Sequence, residues 1–588
     1  MDPVRQFEER RDPHSGDRYL AVFTRGAALE ADPALNKGTC FTREERAALG
    51  LTGLLPPAVQ SPDEQLARAY GNYLKAADDV ARYVFLAGLQ DRNETLFCRL
   101  VQDHLEEMVP IIYTPTVGKA CEQYSHIYRH AHGVYITPDE CGHIAEVLQQ
   151  VRRTTPPVIV ITDNEAILGI GDQGVGGMPI AIGKLALYTV GAGIHPARCL
   201  PIDLDVGTDN AARLGDPIYL GIRARRLRGA PYFALLDELV DAIARVYPGA
   251  LVQWEDFASA NAFDVLARYR RRLLSFNDDI QGTGAVVVAG IESALRQTGG
   301  RLQDARVMFF GAGASGAGSA LAVRSALRDA GVPAAELSAR VVCLDSKGLI
   351  LSDRPGLSGV KRDIAADRAL AAGWTAAPDG TFGLAEVARG YRPTVLVGAS
   401  GQPGAFTESI VRDMLAGCPR PIVLALSNPD SKTEVTPADL IRWTNGAAVT
   451  GTGSPFAPVE HGGRTYTIGQ GNNAFIFPGV GLGATAVGAQ WLPDVAFVAA
   501  ARALVSVAST APHAGAPIYP PLNRLREVSR AVATAVGAAL VDAGAAPPLS
   551  AAEIERRVLA AMWEPRYLPY RAAHAPALAL EQTTSLVR

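Results

Sequence analysis

Two segments, Gln253-Trp254-Glu255-Asp256-Phe257 and Ser275-Phe276-Asn277-Asp278-Asp279-Ile280-Gln281-Gly282-Thr283, each set an acidic pair inside an apolar run. Carboxylates this close repel one another, and burial penalises each of them, so the arrangement calls for a cation between the pairs. An all-oxygen set selects Mg²⁺ or Mn²⁺ over zinc. Either pair alone reads equally as a solvated strand end with helix-capping aspartates. A third chemical motif starts at Gly311. Arg306-Val307-Met308-Phe309-Phe310 reads as a strand and runs directly into Gly311-Ala312-Gly313-Ala314-Ser315-Gly316, then a helix of small residues. Gly311, Gly313 and Gly316 are thus spaced as a dinucleotide fingerprint, with the pyrophosphate against the helix N-terminus. The bland alternative is a Gly/Ala-rich crossover with no ligand. Asp345 ends the next strand and is placed to accept from ribose hydroxyls, although it lies further on than the usual ~20 residues. Ser346, Lys347, Lys361 and Arg362 together could hold a 2′-phosphate, which leaves NAD and NADP both open.

These residues need elements to position them. From about 43 to 130 the pattern is helical; after 155 it alternates between strand and helix. Val158–Thr162 is a short β-branched run of the buried parallel type, and Leu200–Val206 and Ala250–Trp254 are further strand candidates. A second α/β unit begins near 283, with strands at 306–310, 340–344, 394–397 and 421–426 and helices near 494–512 and 522–545. The fold class expected is α/β: a helical N-terminal region (1–130), a parallel-sheet catalytic domain (131–282), a Rossmann-type dinucleotide-binding domain (283–545) and a C-terminal tail (546–588). Residues 1–30 read as a polar, loosely ordered lead-in, and the segment after 473 is expected to return to the first α/β domain.

With 588 residues, more than one core is required. A 48% hydrophobic and 20% charged composition describes an ordinary globular chain, and a net charge of −4 gives no electrostatic case for nucleic acid or anionic membrane. The sequence reading finds no apolar run pure enough to span a bilayer and no signal-peptide core at the start. Seven cysteines without CxxC spacing suit reduced thiols and a cytoplasmic setting better than a disulfide frame or a zinc site.

Several further segments resemble one family. Ile112-Tyr113-Thr114-Pro115-Thr116-Val117-Gly118, Ile167-Leu168-Gly169-Ile170-Gly171-Asp172, Gly183-Lys184-Leu185 and Asp205-Val206-Gly207-Thr208 look like malic enzymes. So do Leu426-Ser427-Asn428-Pro429, Gly471-Asn472-Asn473-Ala474-Phe475-Ile476-Phe477-Pro478-Gly479 and both acidic segments, in family order from about Asn36 to Tyr570. The resemblance implies oxidation of L-malate at C2, loss of the C4 carboxylate and protonation of the resulting enol. It makes Lys184 the base, which requires a lowered pKa, and Tyr113 the acid. Asp278 would steer the lysine's proton. Glu255, Asp256 and Asp279 would bind the metal, whose Lewis acidity supplies the electron sink. Adjacent strand residues face opposite ways, so Glu255 and Asp256 must sit at a strand end or kink. Asn428 and Asn473 would hold the substrate carboxylate and the nicotinamide end. A homodimer or homotetramer is implied. Taken singly these residues have plain readings: a packed tyrosine, a snorkelling lysine, an Asn-Pro turn, a helix cap.

The chain departs from the family at Thr162-Asp163-Asn164-Glu165-Ala166, where an arginine is usual in place of Ala166, and at Pro179-Ile180-Ala181. A planar bidentate donor is not replaced by a methyl group. Both changes lean toward the malolactic branch, which makes lactate and CO₂ from malate. Gly453-Ser454-Pro455-Phe456 and Met562-Trp563-Glu564-Pro565-Arg566-Tyr567 lean toward bacterial NAD malic enzymes. A sensor that binds dinucleotide or dicarboxylate without turnover is the rival of another class.

Overall fold

The computed structural model describes residues 7–151, 157–167, 169–357, 359–508 and 515–573. Leu168, residues 509–512 of the expected helix and residues 574–588 of the expected tail lie outside the described residues. The chain folds as two compact units, one within Met1–Asp103 and Glu564–Arg588, the other His104–Trp563.

In the first unit, β1 (Phe7–Arg11) and β2 (Arg18–Val22) form an antiparallel hairpin, and Tyr570–Ala572 adds a third strand parallel to β2. The lead-in expected to be loose is therefore a sheet. Its hydrophobic signal is confined to the end of β2, where Ala21 and Val22 are buried, so composition hides it. Lys37 ties segments of this unit together. Its Nζ donates to Glu45 Oε1 at 2.6 Å and the Leu568 carbonyl at 2.5 Å and sits 3.7 Å above the Tyr570 ring.

The second unit contains two sheets. The first has five parallel strands, β3 (Val134–Ile136), β4 (Val158–Thr162), β5 (Cys199–Leu204), β6 (Leu251–Glu255) and β7 (Leu274–Asn277), in the order β3-β5-β4-β6-β7. β4 to β7 are buried on both faces, which explains their near-continuous apolar runs. The helix Met178–Ala192 packs against this sheet and is buried almost all round. Gly174–Ala192 is long and apolar enough to cross a membrane (mean hydropathy 1.3), which the sequence reading passed over. It is a core helix, 94% buried inside the fold, with Lys184 in its interior. Helices Leu105–Ile112 and Thr116–Glu122 pack on it too, within the unit that starts at His104.

The second sheet holds β8 (Val307–Phe310), β9 (Val341–Asp345), β10 (Gly348–Leu349), β11 (Val395–Gly398), β12 (Ile422–Ala425), β13 (Val449–Thr452) and, beyond the small hairpin of β14 (Val459–His461) and β15 (Arg464–Tyr466), β16 (Gly469–Gln470). The order is β10-β9-β8-β11-β12-β13-β16, parallel except for β10. Helix Phe477–Val487 leaves this sheet and returns to the first, its Phe477 ring meeting Tyr188 of the lysine helix at 5.1 Å. The two α/β regions are thereby clasped together, and their strand ends supply the site.

Candidate active site

The chemistry gathers at the carboxyl ends of β6 and β7, where open parallel sheets place their ligands. β6 stops at Glu255, and Asp256 takes a left-handed backbone with φ 56°. That kink brings two adjacent carboxylates to one side, as the strand geometry required. After β7 the chain makes a π-helical turn, Asp278–Gly282, a form often found at functional sites. The turn aims Asp279 back at the kink, where its Oδ2 accepts from the Asp256 N–H at 2.8 Å. One ligand oxygen from each of Glu255, Asp256 and Asp279 lies within 4.8 Å of the others.

Lys184 faces them. Its Nζ lies 2.5 Å from Asp278 Oδ2 and 2.7 Å from Glu255 Oε1, 1% exposed. Gly183 allows this approach: a Cβ there would stand 2.5 Å from the Ile112 carbonyl, one residue before Tyr113. The ammonium is 5.3 Å from the Tyr113 ring centroid and 4.6 Å from that of Phe477. Burial alone would lower the Lys184 pKa, but Asp278 and Glu255 outweigh it and hold the group well above its ordinary value. This is opposite to the lowering that a base requires, and the reason is the excess of carboxylates. Burial pushes Glu255 up to about 8 and Asp279 to about 6, with Lys184 pulling each back down. Burial also raises the Tyr113 phenol, which stays protonated. Asp278 and Glu255 thus share the Lys184 ammonium with Asp256 and Asp279 clustered beside them, and Asp278 Oδ1 has no hydrogen-bond partner among the described residues. The donor set is all oxygen, clustered and undercompensated in charge, so it fits a divalent cation of the Mg²⁺ or Mn²⁺ kind.

A second layer holds these groups. Gln253, two residues before Glu255 on the same strand face, donates from Nε2 to Glu255 Oε2 at 2.8 Å and accepts from the Tyr188 hydroxyl at 2.6 Å. Sequence reasoning missed it, although its i, i+2 relation to Glu255 was available. Asn473 Nδ2 donates to Asp278 Oδ2 at 3.0 Å and to Thr283 Oγ1 at 2.9 Å, so in this arrangement it orients Asp278. Ala166 lies on the turn after β4, its N–H on the Asp256 carbonyl at 2.9 Å. The structure therefore brings Tyr113, Lys184, Glu255, Asp256, Asp278, Asp279 and Asn473 together. Asn428 and Asp345 stand apart, at the carboxyl end of the second sheet.

There β8 runs into Gly311, with φ 112°, and helix Ala314–Asp329. A Cβ on Gly311 would lie 2.2 Å from the Ala399 carbonyl, and one on Gly316 would lie 2.1 Å from the Gly311 carbonyl. Gly313 has open space apart from Ser259 Oγ at 3.6 Å, and that hydroxyl accepts from the Ala314 N–H at 2.8 Å. The turn is a cradle that side chains would fill, so it fits a dinucleotide pyrophosphate. Asp345 accepts from the Lys347 N–H at 2.9 Å, Arg354 at 2.6 Å and Lys361 at 2.7 Å, which hold its carboxyl below the usual range against the effect of burial. Lys361 is thus engaged by Asp345, and Arg362 donates to the Leu357 carbonyl at 3.0 Å. Asn428 Oδ1 accepts from Ser454 Oγ at 2.9 Å.

Comparison with known proteins agrees with this layout. Residues 90–270 match the family model described as malic enzyme, N-terminal domain, and residues 280–541 match malic enzyme, NAD binding domain. The NAD-dependent malic enzyme of Pectobacterium atrosepticum is 44% identical over 558 residues, covering 95% of this chain and 99% of that one. The chain belongs to the malic enzyme family. The NAD-dependent malic enzyme of Acinetobacter baylyi is likewise 44% identical, over 93% of this chain and 96% of its own. Among solved structures, Entamoeba histolytica malic enzyme aligns with a TM-score of 0.55 at 20% identity, covering 88% of this chain and 91% of its own. The Pyrococcus horikoshii malic enzyme aligns with a TM-score of 0.51 at 22% identity, over 78% and 89%. These two show the malic enzyme fold. The two matched domains meet at residues 270–280, the stretch that carries β7 and Asp278-Asp279, so the acidic turn sits at the junction of the family's two domains.

Proposed function

We propose that this chain oxidises L-malate with NAD⁺ and decarboxylates the product to pyruvate and CO₂, with Mg²⁺ or Mn²⁺ held by Glu255, Asp256 and Asp279. The observation that carries the reading is the buried Lys184–Asp278–Glu255 cluster, with Tyr113 protonated beside it. Bound at these sites, the cation would supply Lewis acidity at the C2 oxygen and the nicotinamide a hydride acceptor. Lys184 handles the proton of the malate hydroxyl, and Asp278 shares it across the 2.5 Å contact. Neutralising Glu255 and Asp279 removes part of what raises the lysine's pKa, which moves it toward a working base. Tyr113, kept protonated by burial, is the donor to C3 of the enol. Supporting NAD⁺ over NADP⁺, Asp345 ends β9 as an acceptor for ribose hydroxyls and already engages Lys361.

A product assay tests this: purified protein with L-malate, Mn²⁺ and either NAD⁺ or NADP⁺, following reduced cofactor, pyruvate and lactate together. Pyruvate equal to NADH formed is the expected result. Because Ala166 stands where the family usually has an arginine, lactate is followed as well. Lactate without accumulating NADH, or no product with cofactor bound, overturns the reading.

A further inference from the structure

Glu434 is fully buried, yet no chemistry so far uses it. Its Oε1 accepts three hydrogen bonds: from the Ser400 N–H at 2.9 Å, Ser400 Oγ at 2.9 Å and Ser427 Oγ at 2.6 Å. Ser427 Oγ in turn accepts from the Gly401 N–H at 2.9 Å. Glu434 Oε2 has no hydrogen-bond partner among the described residues. A carboxylate this deep is costly unless its acceptor role is needed. The strand before it is shaped for it: a Cβ on Gly398 would stand 2.5 Å from the Glu434 Cδ.

The donors come from two loops that bear on the site. Ser400 and Gly401 follow β11, whose neighbour β8 leads into the dinucleotide turn, and the Ala399 carbonyl is the atom that a Cβ on Gly311 would strike. Ser427 follows β12 and precedes Asn428. Gly398 and Ala425 are register partners, so the two loops leave adjacent strand ends side by side. We propose that Glu434 is a positioning residue that ties the wall of the dinucleotide turn at 399–401 to the Ser427-Asn428 loop, so that cofactor and substrate meet loops held in one fixed relation. This rests on the reading of the site given above. Ser427 bonds across to the first loop twice, directly at the Gly401 N–H and through Glu434.

The test uses the full chain with Glu434→Gln and Glu434→Met. The amide keeps an Oε1 acceptor for all three donors, and the thioether keeps the volume without it. NAD⁺ binding is measured directly by calorimetry, without substrate, and kcat and both KM values with L-malate and Mn²⁺. Glu434→Met is expected to weaken NAD⁺ binding about tenfold and to raise both KM values, while Glu434→Gln stays within about threefold of the parent; buried donors left unpaired cost about this much, and the amide oxygen keeps them paired. Ser427→Ala, which removes the side-chain bridge between the loops and leaves Ser400 on Glu434, is the second variant should Glu434→Met not fold. It is expected to raise the KM for L-malate more than it weakens NAD⁺ binding. Glu434→Met and Ser427→Ala both matching the parent would overturn the tether, as would Glu434→Gln failing as badly as Glu434→Met. If the parent binds NAD⁺ but does not turn over malate, the proposed function fails while the NAD⁺ affinities of the variants still judge Glu434.

Discussion

Replacing Gln253 with methionine isolates what the layer behind the carboxylates contributes. The substitution roughly conserves volume and removes two polar contacts, the 2.8 Å bond to Glu255 Oε2 and the 2.6 Å bond from the Tyr188 hydroxyl. Both partners are buried. In the Mn²⁺-loaded protein the lost bond runs to a charged acceptor, worth about 1.5–3 kcal/mol, and an orphaned buried hydroxyl costs about 1–3 kcal/mol, so fold stability should drop by roughly 2.5–6 kcal/mol. Metal affinity is a separate quantity. Glu255 keeps its contact with Lys184 through Oε1 but loses the bond that fixes its other oxygen. Removing an outer partner of a metal-binding carboxylate typically costs about 10–100-fold in affinity, or about 1.4–2.7 kcal/mol. Calorimetric titration of Mn²⁺ into the variant, with no cofactor present, should therefore show a Kd raised by about one to two orders of magnitude. A thermal melt on the same sample reports the stability loss. Should the melting temperature fall while the Mn²⁺ Kd stays within about threefold of the parent, Gln253 only packs the strand and the orienting argument is refuted.

Two further outcomes follow from the same geometry. Gly316→Ala places a Cβ 2.1 Å from the Gly311 carbonyl, so the turn must open by about 1 Å; kcat/KM for NAD⁺ should fall by roughly 100-fold with Mn²⁺ binding unchanged, and an unaltered NAD⁺ dependence would remove the cradle assignment. Glu255 stands near 8 in the fold against an ordinary 4.5, and Asp279 near 6 against 3.8. A carboxyl raised in this way costs nothing below its unfolded value and reaches its full penalty above its folded value, since the folded form holds more protons in between. Chelator-treated protein should thus lose stability as pH rises from about 3.8 to 8, Mn²⁺ should restore it at pH 8, and Glu255→Gln should flatten the slope above about 4.5; melts that show no difference between parent and variant would contradict the raised carboxyl.

Much of the site could be read from the chain because the relevant constraints are local. Gly311, Gly313 and Gly316 sit between a strand and a helix, and that context fixes what their missing side chains are for. Glu255 and Asp256 demanded a kink because strand residues alternate, and Asp256 supplies it with φ 56°. Other features gave no local signal. The hairpin at Phe7–Val22 looked like a polar lead-in because only its last residues are buried, and its partner strand lies more than five hundred positions away at Tyr570–Ala572.

Residue types and short spacings, then, determined the family, the two α/β sheets, the clustered acidic segments and the dinucleotide turn. Tertiary structure alone decided the protonation of Lys184, because that depends on Asp278 and Glu255, which lie 94 and 71 positions away along the chain (278 − 184 and 255 − 184). It alone turned Asn473 onto Asp278 and gave Glu434 its three donors. The physical reason is the same in each case: burial strengthens electrostatic and hydrogen-bond interactions, and burial is a property of packing between segments that the sequence keeps far apart.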